Sequence, residues 1–318
     1  MKFVKIPENG ASWAEPLCYT INTESTLPKD LVVEIVDEST DEVIGIKHLY
    51  GVTEADIDIA PYVRRSISAT LPAEGSHITI SPSARSITVR VEGVSSAARV
   101  FFRAKIDCSV GHMLSSFQQQ SVVARGEVIR LTVYGQEIVR AWSIDKRTMS
   151  YSPVTAIRTA GLPVEIVVQT NMFTGGSVPI SVEVQCDGGV PLVFNYTITE
   201  PEASTMRVAW HNADGGVECY TFPMAVRMTY EAELSEIDAI AQRRATLPAT
   251  MRYRLLSAYE SREQMERLIG IVASPEVYEC RGDRCEPLQL VSRKIEFDDH
   301  GALRRMELIV EKSGRSCL

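Results

Sequence analysis

The clearest β-strand pattern in the sequence runs from Val178 to Ile198. It reads VPISVEVQC over 178–186 and VPLVFNYTI over 190–198, with Asp187-Gly188-Gly189 between the two. Apolar residues occupy alternate positions in both halves, which is typical of β-strands with one buried face. A Gly-rich turn between two such runs is typical of a hairpin. We therefore predict a β-hairpin here, with one face of each strand in a core.

Short runs of the same kind recur along the chain, and turn residues separate them at close intervals. A second hairpin is predicted from Met206–His211 and Val217–Phe222, which flank Asn212-Ala213-Asp214-Gly215-Gly216. The other predicted strands are Leu31–Val36, Val43–Leu49, His77–Ile80, Ser86–Val91, Val100–Ile106, Val128–Tyr134, Ile138–Trp142 and Val164–Thr170. Strands this short and close favour β-sandwiches or small barrels over βαβ units, so the predicted fold class is mainly β.

The pattern changes after about Pro223, where two helices are predicted. Glu233–Ala245 is rich in Ala, Glu, Ile and Arg, which favours a short helix. Ser261–Ala273 begins with a capping box formed by Ser261 and Gln264. Its apolar positions, spaced for one helix face, are Met265, Leu268, Ile269 and Val272. We expect this second helix to end before Ser274-Pro275 and to pack on a sheet built from strands at Val277–Glu279, Leu288–Val291 and Leu303–Val310.

Composition shifts near Asp107 and Pro223 predict three tandem modules. They are a β-rich module (1–107), a β-sandwich-like module (108–223) and an α+β module (224–318) that carries the helix 261–273. The segment Cys108–Ala124 has no clear period, so it is predicted to be a linker or a long exposed loop.

The balance of charge excludes some functions. The chain has 318 residues and a formal net charge of −8, from 33 Lys and Arg against 41 Asp and Glu. This argues against a general nucleic-acid binder, because phosphate contacts require clustered cations. No apolar stretch approaches the roughly 20 residues needed to cross a bilayer. The N-terminus, MKFVKIPENG, lacks the apolar core of a secretory signal, so no signal peptide and no membrane span are expected.

The chain has seven cysteines, an odd number, so at least one has no partner within it. Without an export signal, reduced thiols are the expectation. The sharpest local feature is Cys280-Arg281-Gly282-Asp283-Arg284-Cys285. An Arg-Gly-Asp loop between two cysteines is similar to a cell-adhesion ligand, but a hairpin turn is needed at this point in any case. A cross-strand disulfide, formed after oxidation, is the third interpretation that stays open.

Standard catalytic and cofactor motifs are missing: the sequence has no phosphate-binding GxxxxGK[ST], no GxGxxG, no GxSxG and no HExxH. Asp56 and Asp58 would share one face of a strand, as a hard-cation site requires, but a solvated strand edge with Ile57 and Ile59 inward explains them better. We interpret Asp298-Asp299-His300-Gly301 as a turn rather than as a metal site. The histidines are far apart in sequence: His48, His77, His112, His211 and His300. We therefore predict no catalytic, cofactor-binding or metal-binding residues, no cofactor and no enzyme activity.

The three tryptophans allow two interpretations. Trp13, Trp142 and Trp210 could together form a platform on which sugars stack, or each could anchor the core of a separate β unit. We prefer the second interpretation, because one tryptophan falls in each of three separate β-rich stretches.

Three stretches of the C-terminal part carry a family resemblance. They are Val208–Gly216 with Tyr220-Thr221-Phe222, Leu268-Ile269 through Ser274–Tyr278, and Pro287–Val291 with Leu303–Val310. This succession resembles uncharacterised structural proteins from the tail regions of phages and prophages of Bacteroidetes-type bacteria. The resemblance covers the C-terminal third to half of the chain. It implies a virion protein that is assembled in the bacterial cytoplasm, with other tail proteins and copies of itself as partners.

The leading hypothesis is a non-enzymatic structural or assembly component of a phage tail or related particle. It would act through protein–protein surfaces, with Cys108–Ala124 and the loop Cys280–Cys285 as candidate contacts. An alternative is a carbohydrate- or cell-surface-binding module that serves as a host-recognition adaptor, which requires an exposed aromatic patch. A third hypothesis is a hydrolase with unrecognised carboxylates, which requires two acids paired in a cleft.

Overall fold

The computed structural model describes residues 1–67, 77–115, 121–159, 161–231, 234–236, 244–246, 250–274, 276–282, 284–291 and 296–313. Regular structure within these ranges is mostly β-strand, in several largely antiparallel sheets. The predicted fold class, mainly β, is confirmed. None of the helices in these ranges is long and apolar enough to cross a membrane.

The N-terminal region contains two sheets and one short helix. Its elements are β1 (Lys2–Lys5), β2 (Cys18–Asn22), β3 (Lys29–Asp37), β4 (Glu42–Val52), β5 (Glu54–Asp58), α1 (Ala60–Ser66), β6 (His77–Ile80), β7 (Arg85–Val91), β8 (Val94–Ser95) and β9 (Arg99–Phe101). The strand orders are β1-β2-β5 and β4-β3-β7-β8, with β9 beside β7. Both sheets contribute to one core, in which Tyr19, Val33 and Val89 are buried with Val63 of α1.

The middle region is a two-sheet sandwich. Its elements are β10 (His112–Met113), β11 (Ser121–Ala124), β12 (Val128–Tyr134), β13 (Ile138–Asp145), β14 (Ser150–Arg158), β15 (Pro163–Gln169), β16 (Val178–Cys186) and β17 (Leu192–Thr199). One sheet has the order β11-β17-β16-β13-β14, and the other has the order β10-β12-β15-β6. Strand β6 therefore comes from the N-terminal region and completes a middle sheet by pairing with β15.

The hairpin predicted from Val178–Ile198 is confirmed, and its strands are β16 and β17. Val178 pairs with Ile198 and Val184 with Leu192 in an antiparallel register. The inward positions of β16 are buried, as are Phe194 and Ile198 of β17. Val190 is 90% exposed, because the turn is longer than predicted and β17 begins only at Leu192.

The C-terminal region contains one large curled sheet, a half-barrel, around a short helix, and a separate two-stranded sheet. Its elements are β18 (Met206–His211), β19 (Val217–Phe222), β20 (Met224–Glu231), β21 (Leu234–Glu236), β22 (Arg244–Thr246), β23 (Thr250–Leu256), β24 (Glu260–Ser261), α2 (Arg262–Leu268), α3 (Gly270–Ala273), β25 (Val277–Arg281), β26 (Arg284–Leu290), β27 (Glu296–His300) and β28 (Leu303–Ser313). The main order is β19-β18-β25-β26-β28-β23-β20, with β24 and β27 also pairing with β28. The turn predicted at Asp298–Gly301 lies later in the chain: Asp298, Asp299 and His300 belong to β27, and the turn is formed by Gly301 and Ala302.

The helix predicted at Ser261–Ala273 is present, but its buried face differs from the prediction. Ser261 caps it by accepting a hydrogen bond from the Gln264 N–H. Met265 and Leu268 are buried as predicted, whereas Ile269 is 38% exposed and Ile271 is buried instead. The helix breaks at Ile269, between α2 and α3, and this break shifts the positions that face the core.

Three other local predictions are corrected. The helix predicted at Glu233–Ala245 is wrong for the described residues, because β21 pairs with β22 there. The rest of that segment lies outside the described residues. Composition alone favoured that helix, without a cap or an apolar stripe to stabilise it. The strand predicted at Val100–Ile106 ends at Phe101, since Phe102 only bridges to Ser12. In Cys108–Ala124, which was predicted to be a linker or a long exposed loop, β10 pairs with β12 of one middle sheet and β11 pairs with β17 of the other, while residues 116–120 lie outside the described residues.

Candidate functional site

The carboxylates considered for a metal site are used to pair strands. The Asp58 carboxylate accepts hydrogen bonds from the Leu17 N–H (2.8 Å) and the Ala60 N–H (3.0 Å). Asp56 accepts one from the Thr20 hydroxyl at 2.6 Å, and Ile57 between them is buried. Within the described ranges, no group of three or more His, Cys, Asp or Glu side chains is placed to hold a metal ion.

The tryptophans lie in three different regions and do not form one surface. Trp210 is buried in the core around α2, and Trp13 packs against the N-terminal core. The indole N–H of Trp142, in the middle sandwich, donates to the Glu183 carboxylate at 2.8 Å. A sugar platform made from all three side chains is therefore not formed.

The predicted Cys280–Cys285 loop is a tight hairpin closed by a disulfide. Cys280 and Cys285 face each other in the register of β25 and β26, with Cα atoms 4.3 Å apart. Gly282 has a φ of +60° and approaches the Gly126 carbonyl of the middle region. Asp283 of the predicted adhesion motif, and Cys317 among the thiols, lie outside the described residues. The loop thus packs back on the protein at Gly282.

The two faces of β12 show how the middle and C-terminal sheets meet. Ile129, Leu131 and Val133 face the core of the middle sandwich. Arg130 and Thr132, at the alternate positions, are buried as well, because the C-terminal sheet covers that face. The Arg130 guanidinium pairs with the Glu165 carboxylate of β15, and both side chains are buried. We call this contact between sheets the joint; its polar members are Ser115, Arg130, Thr132, Glu165 and the backbone of Val217.

Hydrogen bonds across the joint connect the two regions in one register. The Ser115 hydroxyl donates to the Val217 carbonyl at 2.7 Å, and it accepts from the Thr132 N–H at 2.8 Å. The Val217 N–H donates in turn to the Thr132 hydroxyl at 3.0 Å. The Arg130 guanidinium also lies 3.9 Å from the Cys285 sulfur. The contact is specified by polar groups that fit one arrangement.

The turn between β18 and β19 holds all three regions together. The Asn212 side-chain amide donates to the Leu114 carbonyl at 2.6 Å, and the Arg103 guanidinium donates to the Asn212 carbonyl at 2.9 Å. Gly216 approaches the backbone of Leu114 so closely that a Cβ atom would lie 2.3 Å from it. This turn belongs to the first of the stretches that carry the resemblance.

A cleft of about 450 Å³ lies between β17 of the middle region and β19 of the C-terminal region. Three glutamates line it, and two of them have partners: Glu200 pairs with Arg125, and Glu260 accepts a hydrogen bond from the Tyr220 hydroxyl at 2.7 Å. Burial, together with the Glu260 charge, raises the pKa of the Tyr220 hydroxyl well above its usual value. Burial also raises the pKa of the Cys219 thiol, which favours the unreactive, protonated form.

An apolar surface is exposed on the N-terminal sheet. Leu31 and Val33 of β3 are buried, so the positions between them face away from the core. Val32 is 44% exposed there, and Ile46 and Tyr50 of the neighbouring β4 are 52% and 75% exposed. Val32 pairs directly with His48, whose ring stacks near that of Tyr50 with centroids 6.4 Å apart. We call these four side chains the outer face.

An acidic groove continues the outer face across β3 towards β7. Val32 lies in both, and the groove, about 320 Å³, is lined further by Asp30, Glu34, Arg90 and Glu92. The Arg90 guanidinium donates to the Asp41 carboxylate at 2.7 Å. This bond and the charges of Glu38 and Glu34 raise the pKa of Arg90 above its usual value. Sequence reasoning missed this site, although the alternation of Ile46, His48 and Tyr50 in β4 was visible.

The long edge strands in the described ranges carry irregularities that discourage strand addition. In β14 a bulge lies beside Pro153, which has no N–H to donate. In β20 the register shifts between Arg227 and Thr229, and in β4 it shifts near both ends. Bulges and prolines protect edges from pairing with other chains. Faces and loops are therefore better candidates for contact than strand edges.

No protein-family model matches the chain, and no curated protein matches it. Among solved structures, a Salmonella alpha-2-macroglobulin mutant is similar to the chain over 94% of its length, at 7% identity and a TM-score of 0.20. The chain spans 19% of the length of that protein. At this TM-score the similarity supports neither a shared fold nor a function.

Proposed function

We propose that the protein is a non-enzymatic structural and assembly component of a phage tail or related particle. The observation that carries the proposal is the exposed outer face of Val32, Ile46, His48 and Tyr50 on a sheet whose other side is buried. Exposed apolar patches bordered by charge are typical of protein–protein contacts. The resemblance of the C-terminal part to phage tail proteins supports the choice of particle.

The joint supports a structural function in a different way. Buried hydrogen bonds among Ser115, Thr132 and Val217 fix the middle and C-terminal sheets relative to each other. A subunit that holds its regions in one arrangement can present the outer face at a fixed position to a neighbour. Each specific contact in the particle should then bury more than about 1,000 Å². The proposed location is the virion, after assembly in the bacterial cytoplasm, with other tail proteins and further copies of the chain as partners.

One observation favours the second candidate function, a carbohydrate- or cell-surface-binding module. Tyr50 and His48 form the exposed aromatic patch that such a module requires, with carboxylates nearby as hydrogen-bond acceptors. The patch is small, and aliphatic Val32 and Ile46 flank it. Aliphatic side chains suit a protein partner better than a sugar, so we place assembly first.

The hydrolase hypothesis requires two acids paired in a cleft, and the cleft between β17 and β19 is the place to look for them. Glu200 is held by Arg125 and Glu260 by Tyr220, so two of the three glutamates that line the cleft have structural partners. Within the joint, Glu165 is likewise paired with Arg130. These acids stabilise the fold, which supports the choice of a non-enzymatic function.

The test is made on particles. Virions would be purified from a host that carries the gene and analysed by mass spectrometry and electron microscopy, with wild-type protein, Ile46→Glu and Val190→Glu. Both variants place a carboxylate at an exposed aliphatic position, but Val190 lies in the β16–β17 turn, away from the outer face. We expect wild-type and Val190→Glu protein in the particle and Ile46→Glu protein to be depleted. Absence of the wild-type protein, with particles unaltered after gene deletion, would overturn the proposal.

A further inference from the structure

We infer that the outer face and its acidic groove bind an extended basic segment of a partner protein, in which Lys or Arg alternate with apolar residues. The inference rests on the proposed function in taking the occupant to be a protein. It adds the chemistry of that partner: positive charge for the groove and aliphatic side chains for Val32 and Ile46.

The apolar outer face and the acidic groove are adjacent on the same sheet. Val32 belongs both to the apolar outer face and to the lining of the groove, so one ligand can contact both at once. Successive side chains of an extended segment point in opposite directions, so a segment that runs along Val32 can direct its apolar set to one side, towards Ile46, and its cationic set to the other side, over the groove. A lysine or arginine near Tyr50 would also gain from the face of the aromatic ring.

The charges near the groove are mainly negative. Arg90 is the cation that lines it, and its guanidinium is bonded to Asp41. The carboxylates that line the groove or act on Arg90 are Asp30, Glu34, Glu38, Asp41 and Glu92. Lys29 and Lys47 lie on the same two strands. They directly neighbour Asp30 and Ile46 in sequence, so the alternation of a strand assigns them to the other side of the sheet. A cationic partner complements this field, and its association would be faster at low salt.

The same charges disfavour a second copy of the chain as the occupant. A two-fold contact would bring the identical acidic groove against itself. The chain as a whole carries a formal charge of −8, which adds to the repulsion. Strand addition at β4 is also disfavoured, because its register shifts near Ile44 and again near Gly51, where φ is +62°. The partner segment therefore lies on the face of the sheet.

The experiment uses the full chain and two synthetic peptides of about ten residues, long enough for one strand. One peptide alternates Lys with Val, and the other alternates Glu with Val. Backbone amide shifts in NMR spectra locate the binding site, and calorimetry measures the affinity at low and high salt. We expect the Lys peptide alone to bind, to shift the amides of Val32, Glu34 and Tyr50, and to weaken as salt rises.

Two charge-reversal variants provide the matched comparison. Glu34→Lys and Glu266→Lys change the net charge equally, but Glu266 lies on the exposed side of α2, paired with Arg262. We expect Glu34→Lys to weaken the Lys peptide about tenfold or more, and Glu266→Lys to change its affinity by less than about twofold. Equal losses in both variants would show general charge attraction and overturn the inference.

Other outcomes also decide against it. Binding of a neutral oligosaccharide that Tyr50→Ala abolishes, and that salt and Glu34→Lys leave unchanged, would assign the face to a sugar. Self-association that Tyr50→Ala removes would assign it to a second copy. Peptide binding as expected by a protein that is absent from particles would overturn only the proposed function, and incorporation without peptide binding would overturn only this inference.

Discussion

The joint and the outer face reverse the usual distribution of side chains, in which charged residues lie at the surface and apolar residues lie in the interior. At the joint, Arg130 and Glu165 are buried between two sheets. On the outer face, Ile46 and Tyr50 point into solvent. The two surfaces therefore have different functions: polar groups fix one arrangement of sheets inside the subunit, and apolar groups remain available outside it.

The largest expected effect comes from breaking the joint at its ion pair. Glu165→Ala leaves the buried Arg130 without its carboxylate partner, so we expect a loss of about 3–5 kcal/mol in the free energy of unfolding. Urea melts measure this loss. The double variant Arg130→Met with Glu165→Leu should recover most of it, since no buried charge remains. Glu266→Ala, in an exposed pair, should cost no more than about 1 kcal/mol. Similar small losses for Glu165→Ala and Glu266→Ala would contradict the assignment of a buried pair.

The helix in the C-terminal half-barrel gives the next largest effect. Leu268→Ala removes a buried side chain and should cost about 2–5 kcal/mol, through lost burial and the cavity it leaves. Ile269→Ala, one residue later but exposed, should cost less than about 1 kcal/mol. Denaturant melts of the two variants compare these positions directly. Equal losses would mean that the helix continues unbroken through Ile269 with the stripe predicted from sequence.

Removing the disulfide beside the joint should have a moderate effect. The bond closes a loop of only a few residues, for which loop-closure entropy gives about 2 kcal/mol. We therefore expect reductant to lower the stability of the wild-type protein modestly while the protein still folds. The variant with both Cys280→Ser and Cys285→Ser should be insensitive to reductant. A melt of this double variant that still shifts with reductant would reveal another disulfide.

The smallest expected effect is on the outer face. Tyr50→Ala removes a large but exposed side chain, so the free energy of unfolding should change by no more than about 0.5 kcal/mol. Calorimetric melts measure this change, and peptide binding measured on the same sample should fall. A loss of several kcal/mol would show that Tyr50 supports the fold, and would remove the contrast between the two surfaces.

The alternation of apolar residues correctly predicted which side of a strand packs into that strand's own core. Val178, Ile180 and Val182 were predicted to be buried together, and they are. It was a poor guide to what covers the other side of a strand. Arg130 and Thr132 alternate with apolar residues as on any half-exposed strand, yet a second sheet buries them. Alternation shows that two faces differ in polarity, but it carries no information about the neighbour that meets each face.

The outer face escaped prediction for a related reason. Both sides of β4 carry apolar residues, so alternation does not indicate which side is covered. Helix α1 covers the side of β4 that becomes buried. Its Tyr62 ring is so close to Gly45 that an added Cβ atom would lie 2.1 Å from the ring. The break in the helix at Ile269 was also invisible, because the spacing of apolar residues through that point fits a continuous helix.

The pairing of β6 with β15 has a consequence for how the chain reaches its fold. During synthesis, β6 leaves the ribosome long before its partner Pro163–Gln169 exists, so it must wait without a sheet to join. Closing so long a loop is entropically costly, and contacts between distant parts of a chain slow folding. Until β6 arrives, the amide groups of β15 form an unprotected edge along an apolar strand. Such an edge invites aggregation, so a fragment of the middle sandwich prepared without residues 77–80 is expected to aggregate where the whole chain does not.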